Sequence, residues 1–162
     1  MATTNMRKRL LTSTPKTDLV GSTDWLDLES AAVVEVTSED ADFPIESAFV
    51  LKETTGWRAA FPGTQVIRVV FDQAHELRRI FLVFEENQTP RTQEFVLRWS
   101  SDGGRKFQEI VRQQWNFSPP ATTRESEEYL VRLSDTSVLE LVIVPDISGG
   151  SARASLRSLR LS

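Results

Sequence analysis

An adjacent tryptophan and arginine, Trp57 and Arg58, are the residues of this chain best suited to recognition chemistry. An indole ring offers a flat apolar surface for stacking, and a guanidinium donates two parallel hydrogen bonds to a carboxylate or to paired hydroxyls. Together they could bind a sugar, a carboxylate or an acidic peptide. The alternative is that Trp57 is a buried core anchor and Arg58 a charge at its rim, because tryptophan is highly buried on average. Arg58 is therefore the stronger candidate of the two.

Trp115 is a second aromatic candidate, because it stands where a strand-like run enters the proline-containing stretch 116–124. Exposed aromatic side chains often mark interfaces. Residues two apart share one face of a strand, so Trp115 and Phe117 point the same way, and packing in the core is the other interpretation.

The carboxylates Glu39, Asp40 and Asp42, with Asp146 from another segment, could supply oxygen ligands to calcium. Their spacing lacks the glycine turn and the terminal glutamate of a known calcium loop, and a carboxylate cluster alone is a weak motif. We therefore expect no cofactor and no metal, with calcium as the minor alternative.

Catalytic motifs give no support for an enzyme. The chain has no cysteine and a single histidine, His75, which we expect at the surface in a polar connector. It also lacks a glycine-rich phosphate loop, a nucleophile elbow and a zinc-binding helix motif. Paired carboxylates of a hydrolase stay open as an idea, because such pairs meet in space rather than along the chain. The sequence predicts a non-enzyme with no catalytic residues.

The charge of the chain is unevenly distributed. The net charge of −4 over 162 residues divides into +4 for residues 1–17 and −8 for the rest. An acidic body repels phosphate backbones, so we expect no nucleic-acid partner. The basic arm could be a solvated tail, could touch an anionic surface, or could be similar to a transit peptide.

Hydropathy and cysteine content suggest where the protein works. No apolar run approaches the roughly 20 residues of a membrane span, and no apolar leader segment precedes the body. We therefore expect no membrane partner. The absence of cysteine is compatible with a reducing compartment, and the cytoplasm is the expected location.

The segments that must position these residues are predicted to be short β-strands. We interpret residues 1–24 as a flexible basic N-terminal segment and 25–162 as one domain. Residues 48–51 fit a strand or a single helical turn, and we expect hairpin connectors at 72–76 and 134–137 and a hairpin turn at 101–104. The apolar or alternating runs are 33–37, 65–71, 79–85, 94–100, 107–115, 129–133, 138–144 and 152–161.

About eight strands, frequent turn signals and no amphipathic helix predict an all-β fold. The architecture that fits is a two-sheet antiparallel β-sandwich of jelly-roll type. Alternation in the run 94–100 places Phe95, Leu97 and Trp99 on one face, which should be the core.

The order of several short motifs resembles the galactose-binding-like superfamily, which includes the discoidin, or coagulation factor 5/8 type C, domains and many carbohydrate-binding modules. These motifs are Ser47-Ala48-Phe49, then Thr55-Gly56-Trp57-Arg58-Ala59, then the strand from Gln65, then Ser101-Asp102-Gly103 with Phe107, then 152–161. The resemblance implies a non-catalytic recognition module that binds through loops at one end. The loops would be 39–44, 54–63, 85–91 and 115–124.

The resemblance implies a glycan site in which Asp42, Arg58, Asn87 and Arg91 hydrogen-bond hydroxyl groups while Trp57 or Trp115 stacks on a sugar ring.

This chain departs from the family's habits in four places. Sugar-binding members often have a histidine where Arg58 stands and an arginine in the loop after the central strand, where this chain has Glu85-Glu86-Asn87. Calcium-binding members usually have an aspartate where Val50 stands, and many members have an aromatic residue in the last loop, 148–151. The alternative function is an intracellular protein–protein interaction module that uses the same loops or a strand edge. The expected partner is thus a glycan or another protein, and the sequence leaves the oligomeric state open.

Overall fold

The structure, a computed structural model, describes residues 6–10, 25–50 and 55–162. It contains one turn of α-helix, α1 (Leu28–Ala31), and one 3-10 helix (Ile45–Ala48). Within these ranges no helix is long and apolar enough to span a membrane. The strands are β1 (Lys8–Leu10), β2 (Ala32–Val36), β3 (Trp57–Arg58), β4 (Gln65–Glu85), β5 (Arg91–Ser100), β6 (Gln108–Phe117), β7 (Arg124–Val144), β8 (Ser155–Leu156) and β9 (Ser158–Leu161).

Two long antiparallel strands, β4 and β7, organise the molecule. The strand order is β1-β2-β4-β7-β5-β6, with β9 also paired to β4 and a separate β3-β8 pair. The first half of β4 pairs with the second half of β7, beside β2 and β5, whereas its second half pairs with the start of β7, beside β9. Register shifts between Val70 and Arg79 separate the two halves. The halves thus belong to two different layers.

The two layers pack face to face as a sandwich. Phe84 in the second half of β4 lies against Phe95 of β5, with ring centroids 5.1 Å apart, although these strands are not hydrogen-bonded neighbours. Both side chains are fully buried, as is Leu97. The predicted all-β antiparallel sandwich is confirmed, and so is the assignment of Phe95 and Leu97 to its core.

Two predicted hairpin connectors are wrong. Residues 72–76 and 134–137 lie within β4 and β7, each a continuous strand of 21 residues. At these polar stretches the chain bends without reversing, and the ladder between β4 and β7 resumes beyond the register shifts. Asp135 has a positive φ of 52° at the bend in β7. His75 therefore lies in a strand, against the ring of Phe71. The hairpin between β5 and β6 is confirmed.

The N-terminal part of the chain differs from the expected loose segment. Lys8–Leu10 forms β1, parallel to β2, and Met6 is buried. The ammonium of Lys8 contacts Glu39 and Glu46. Burial lowers the pKa of Lys8, but the hydrogen bonds and charges of Glu46 and Glu39 outweigh that effect and raise it. Residues 1–5 and 11–24 of the predicted segment lie outside the described residues.

The segment at 48–51, which fitted a strand or a helical turn, follows the helical alternative in part. Ile45–Ala48 forms the 3-10 helix, and both Ile45 and Ala48 are fully buried. Leu51 lies outside the described residues.

Phe95→Ala should lower the free energy of unfolding by about 3–5 kcal/mol, because it opens a cavity where the two layers meet. Urea denaturation followed by circular dichroism measures this change. The control is Leu130→Ala on β7, where the side chain is 80% exposed; its effect should stay within about 0.5 kcal/mol. Similar losses in the two variants would contradict the packing described here.

Candidate functional site

The predicted ligand loops lie at one end of the sandwich. The backbone N–H of Asp40 donates to the carbonyl of Arg58 at 2.8 Å, and the N–H of Arg58 donates to that of Phe43 at 3.1 Å. On the neighbouring side, the N–H of Glu86 donates to the carbonyl of Thr123 at 2.9 Å. These bonds join the loop 39–44 to the loop 54–63, and the loop 85–91 to the loop 115–124. A cleft lies between the two pairs of loops. Residues 51–54 lie outside the described residues.

The cleft has a volume of about 230 Å³. Its lining comes from the chain around β3, the β4–β5 loop and the chain around β8. The residues are Phe43, Thr55, Trp57, Arg58, Glu85, Glu86, Asn87, Gln88, Ser155, Leu156 and Arg157. Three predicted site residues, Trp57, Arg58 and Asn87, are therefore brought together.

Trp57 forms the floor of the cleft. It is 1% exposed, and its indole N–H donates to the carbonyl of Ser38 at 3.0 Å. Of the two interpretations of this residue, the buried anchor is therefore confirmed. The neighbouring backbone is equally close-packed, because Gly56 has a φ of +77° and a Cβ placed there would lie 2.7 Å from the carbonyl oxygen of Leu156.

Arg58 is an exposed cation at the rim of this cleft. Its guanidinium lies over the ring of Phe43, 5.1 Å from the centroid. Among the described residues the guanidinium has no hydrogen-bond or ion-pair partner. The side chains of Asn87 and Gln88 are also exposed and line the same cleft. A cation and two amides thus point into one space, beside one aromatic ring.

Glu86 holds the β4–β5 loop in place. Its carboxylate accepts from the backbone N–H groups of Gln88 at 3.0 Å and Thr89 at 3.1 Å, and from Nε of Arg91 at 2.7 Å. Burial raises the pKa of Glu86, but the hydrogen bonds from Arg91, Gln88 and Thr89 outweigh it and lower that pKa below its ordinary value. An ionised Glu86 is therefore part of the loop's structure.

Arg91 supports the loop from beneath. Its side chain is 1% exposed, donates to the carbonyl of Pro145 at 2.7 Å and lies 5.0 Å from the centroid of the Phe117 ring. The expectation that Arg91 touches a ligand is corrected, because these partners already use its guanidinium inside the protein.

At the lower rim one carboxylate pairs with two arginines. Glu85 contacts Arg124 at 3.1 Å and Arg157 at 3.0 Å. Both of these arginines therefore already have an acidic partner, whereas the guanidinium of Arg58 has none among the described residues.

Asp42 and Trp115, the other two predicted site residues, do not line the cleft. Asp42 is exposed in the preceding loop, where its backbone N–H donates to Asp40. Trp115 is half-buried on β6, in register with Gln93 and on the same face as the buried Phe117. The packing interpretation of this aromatic stretch is therefore the one that the structure supports.

Three of the four carboxylates considered for calcium have protein partners among the described residues. Glu39 binds Lys8 and the N–H of Ile45, Asp40 pairs with Arg153 at 3.3 Å, and Asp146 accepts from the N–H of Ser148. Within the part of the chain that the structure describes, no group of three or more histidine or acidic side chains is arranged to hold a metal.

From the sequence, Phe43 and Gln88 were placed only within the predicted loops 39–44 and 85–91, with no role of their own, and the β8 side of the cleft was missed. Phe43 lies next to Pro44 in an acidic stretch, a pattern common to many loops, so only the bridge between Asp40 and Phe43 reveals its position. The one local signal was Gly56, directly before Trp57, because a glycine at a close approach of two backbones has few substitutes.

No family model and no curated protein sequence matches this chain. Solved structures do. A family 32 carbohydrate-binding module from C. perfringens NanJ, in complex with galactose, superposes with a TM-score of 0.60 at 13% identity over 80% of this chain and 92% of that chain. The family 32 module of AlyQ, in complex with 4,5-unsaturated mannuronic acid, gives a TM-score of 0.58 at 16% identity over 90% and 96%.

The chain has the galactose-binding-like fold. A similar structure in complex with a protein is reduced XRCC1 bound to the DNA polymerase β catalytic domain, which superposes with a TM-score of 0.53 at 14% identity over 78% of this chain and 91% of that chain. Identities this low establish the galactose-binding-like architecture alone, and function has to be argued from the cleft.

Gly56→Ala should destabilise the protein more than Gly63→Ala. Both glycines have positive φ, so each alanine carries a backbone strain of about 1–2 kcal/mol. Only the Cβ at Gly56 would also meet backbone, whereas nothing lies within 4 Å of the one at Gly63. Thermal and urea unfolding of both variants measure the difference, and an equal loss would show that the backbone at β8 does not fix the cleft floor.

The β4–β5 loop should lose its order in acid. Because the folded pKa of Glu86 is lowered, its stabilising effect is present above the ordinary pKa of about 4.5 and disappears as the pH falls through the lower folded value. NMR amide shifts of Gln88 and Thr89 should therefore titrate below about 4.5. Glu86→Gln should remove that inflection. Absence of any wild-type inflection below about 4.5, or an unchanged inflection there in Glu86→Gln, would contradict the role given to Glu86.

Proposed function

We propose that this protein is a non-catalytic recognition module that binds a glycan in the cleft between Arg58 and the β4–β5 loop. The observation that carries the proposal is the exposed guanidinium of Arg58, held over Phe43 and without an acidic partner among the described residues. Such a group donates paired hydrogen bonds to vicinal hydroxyls or to a carboxylate. Asn87 and Gln88 add donors and acceptors from the opposite side.

The size of the cleft favours a single sugar ring as the bound unit. Sites for drug-sized ligands usually measure about 300–1,000 Å³. The cleft measures about 230 Å³ and opens between exposed side chains. It therefore suits one terminal or side-chain residue of a glycan, with the remainder of the chain in solvent.

Similar structures support the same ligand class. Besides the galactose and mannuronic acid complexes, a C. perfringens family 32 module is in complex with GalNAc-β-1,3-galactose, with a TM-score of 0.57 at 19% identity over 79% of this chain and 92% of that chain. Both neutral and acidic sugars are thus bound by proteins of this fold. The absence of an acidic partner for Arg58 makes a uronic acid a reasonable candidate beside the neutral hexoses.

A second candidate function is protein recognition, and one observation favours it. Phe61 and Ile147 are 50% and 49% exposed in loops at the same end of the sandwich. Exposed apolar side chains are typical of protein interfaces. The absence of cysteine is compatible with an intracellular, cytoplasmic partner. Phe61→Ser should then abolish capture of that partner and leave sugar binding unchanged.

Arg58→Ala should reduce affinity for the bound sugar at least about tenfold, because hydrogen bonds from a charged donor contribute about 1.5–3 kcal/mol. A glycan array with galactosides and uronates would identify the ligand, and calorimetry would measure its affinity. Arg105→Ala is the matched control, since Arg105 is an exposed arginine in the β5–β6 hairpin turn. Absence of saturable binding to any sugar at millimolar concentration, or equal binding by wild type and Arg58→Ala, would contradict the proposal.

A further inference from the structure

Polar side chains fill the space between the two layers along one edge of the sandwich. Among the described strands, β6 pairs only with β5, and the first half of β7 pairs only with β4. No backbone ladder therefore joins β6 to β7 along this edge. Side chains make the connection instead, and they are Gln93 of β5, Gln113 of β6, and Glu125, Glu127 and Tyr129 of β7.

Gln113 is the bridge between the layers. Its amide nitrogen donates to Oε2 of Glu127 at 2.7 Å, and its carbonyl oxygen accepts from the hydroxyl of Tyr129 at 3.0 Å. Both groups of the amide thus have partners on β7. Deeper inside, the amide nitrogen of Gln93 donates to Oε1 of Glu125 at 3.4 Å, a longer and weaker bond.

Glu125 has an unusual position. It is 0% exposed, no arginine or lysine pairs with it among the described residues, and its Oε2 is a buried oxygen without a donor. Glu127 is two residues further along the strand, on the same face, and its carboxyl group is within hydrogen-bonding reach. An unpaired buried anion is costly. One proton between the two carboxyl groups gives Oε2 a partner and removes one of the two charges.

The surroundings of the pair supply no competing cation. On β4 the residues in register with Glu125 and Glu127 are the apolar Phe84 and Leu82. On β6 the groups that face the pair are the uncharged side chains of Gln113 and Trp115. The indole N–H of Trp115 is buried without a partner. The guanidinium of Arg91 on β5 donates to the side-chain oxygen of Gln93 at 3.4 Å and pairs with neither carboxyl group. Residues 118–123 carry no charge.

Protonation of the groups follows from this environment. Burial is the largest cause that raises the pKa of Glu125, to about 8, followed by the hydrogen bond and the charge of Glu127, while Gln93 opposes the shift. Burial and the charges of Glu127 and Glu125 also raise the pKa of Tyr129, so its hydroxyl stays a donor to Gln113.

We propose that Glu125 and Glu127 share one proton, that this proton latches the β6 edge to β7, and that its loss in mildly alkaline solution loosens that edge. The latch also reaches the cleft, because Gln93 contacts Arg91, and Arg91 holds Glu86 at the base of the β4–β5 loop. The chain of contacts is Glu127, Glu125, Gln93, Arg91 and Glu86. The latch is independent of what the cleft binds.

The direction of the pH effect follows from linkage. Between about pH 4.5, the ordinary value of a glutamate, and about pH 8, the folded protein holds a proton that the unfolded chain has released. Stability therefore falls as the pH rises through this window, and the full cost is present above about pH 8.

The first experiment follows the carboxyl carbons of the full chain by NMR from pH 4 to pH 10. One of the pair should titrate near pH 8, and the amide signals of Gln88 and Thr89 should shift over the same range. This measurement uses the wild-type protein, so it does not depend on the folding of a variant. If both carboxyls titrate near their ordinary value of about 4.5, or if the loop signals stay unchanged, the latch is wrong.

The second experiment compares melting temperatures at pH 7 and pH 9. The wild type should lose about 3–5 °C, because about one pH unit of the window lies between pH 7 and the folded pKa of about 8. Glu125→Gln should be less sensitive to pH and more stable than the wild type at pH 9, since it keeps an amide donor and removes the charge. Glu128→Gln is the control, because Glu128 lies on the same strand, half-exposed, and pairs with Arg79. An equal loss of pH sensitivity in the control would overturn the proposal, and Glu127→Gln repeats the test should Glu125→Gln fail to fold.

Discussion

The pairing of β4 with β7 is the constraint on which the rest of the structure depends. Each strand runs through both layers, so a single ladder fixes the distance and the angle between them. Side chains at alternate positions of the two strands, such as Leu82, Phe84, Leu141 and Ile143, are buried on the inner faces. The shared apolar core then keeps β2, β5, β6 and β9 in place.

The cleft is a consequence of where these two strands end and begin. Glu85 closes β4 and Arg124 opens β7, and the two side chains pair across the end of the ladder. The β4–β5 loop that follows is held from beneath by Arg91 through Glu86. Because these supports are buried or paired, they leave Asn87 and Gln88 exposed above them. Groups carried on a supported loop can meet a ligand at a lower cost in conformational entropy.

Much of the fold could be predicted from the sequence, because alternation and turn residues are local signals. The continuity of β4 and β7 could not, since polar stretches such as 72–76 look the same whether the chain reverses or bends. The roles of individual side chains in the cleft could not be predicted from the sequence either. Arg58 and Arg91 are both arginines near an aromatic residue, and only tertiary contacts with Glu86 and the Pro145 carbonyl distinguish a buried support from an exposed rim group.

Strand β7 buries two carboxylates, and the difference between them explains why the response to alkaline pH should be concentrated at the edge between β6 and β7. On the outer face of the sheet, Glu140 accepts from Nε of Arg68 and from Nε of Arg98, each at 2.7 Å, so its negative charge is matched by cations. Glu125 faces the interior, where one weak amide bond and another carboxyl group surround it. A buried charge with cations is stable as an anion, whereas one without them is best stabilised by a proton. The edge between β6 and β7, rather than the face of the sheet that carries Glu140, is therefore where strand β7 should respond to mildly alkaline pH.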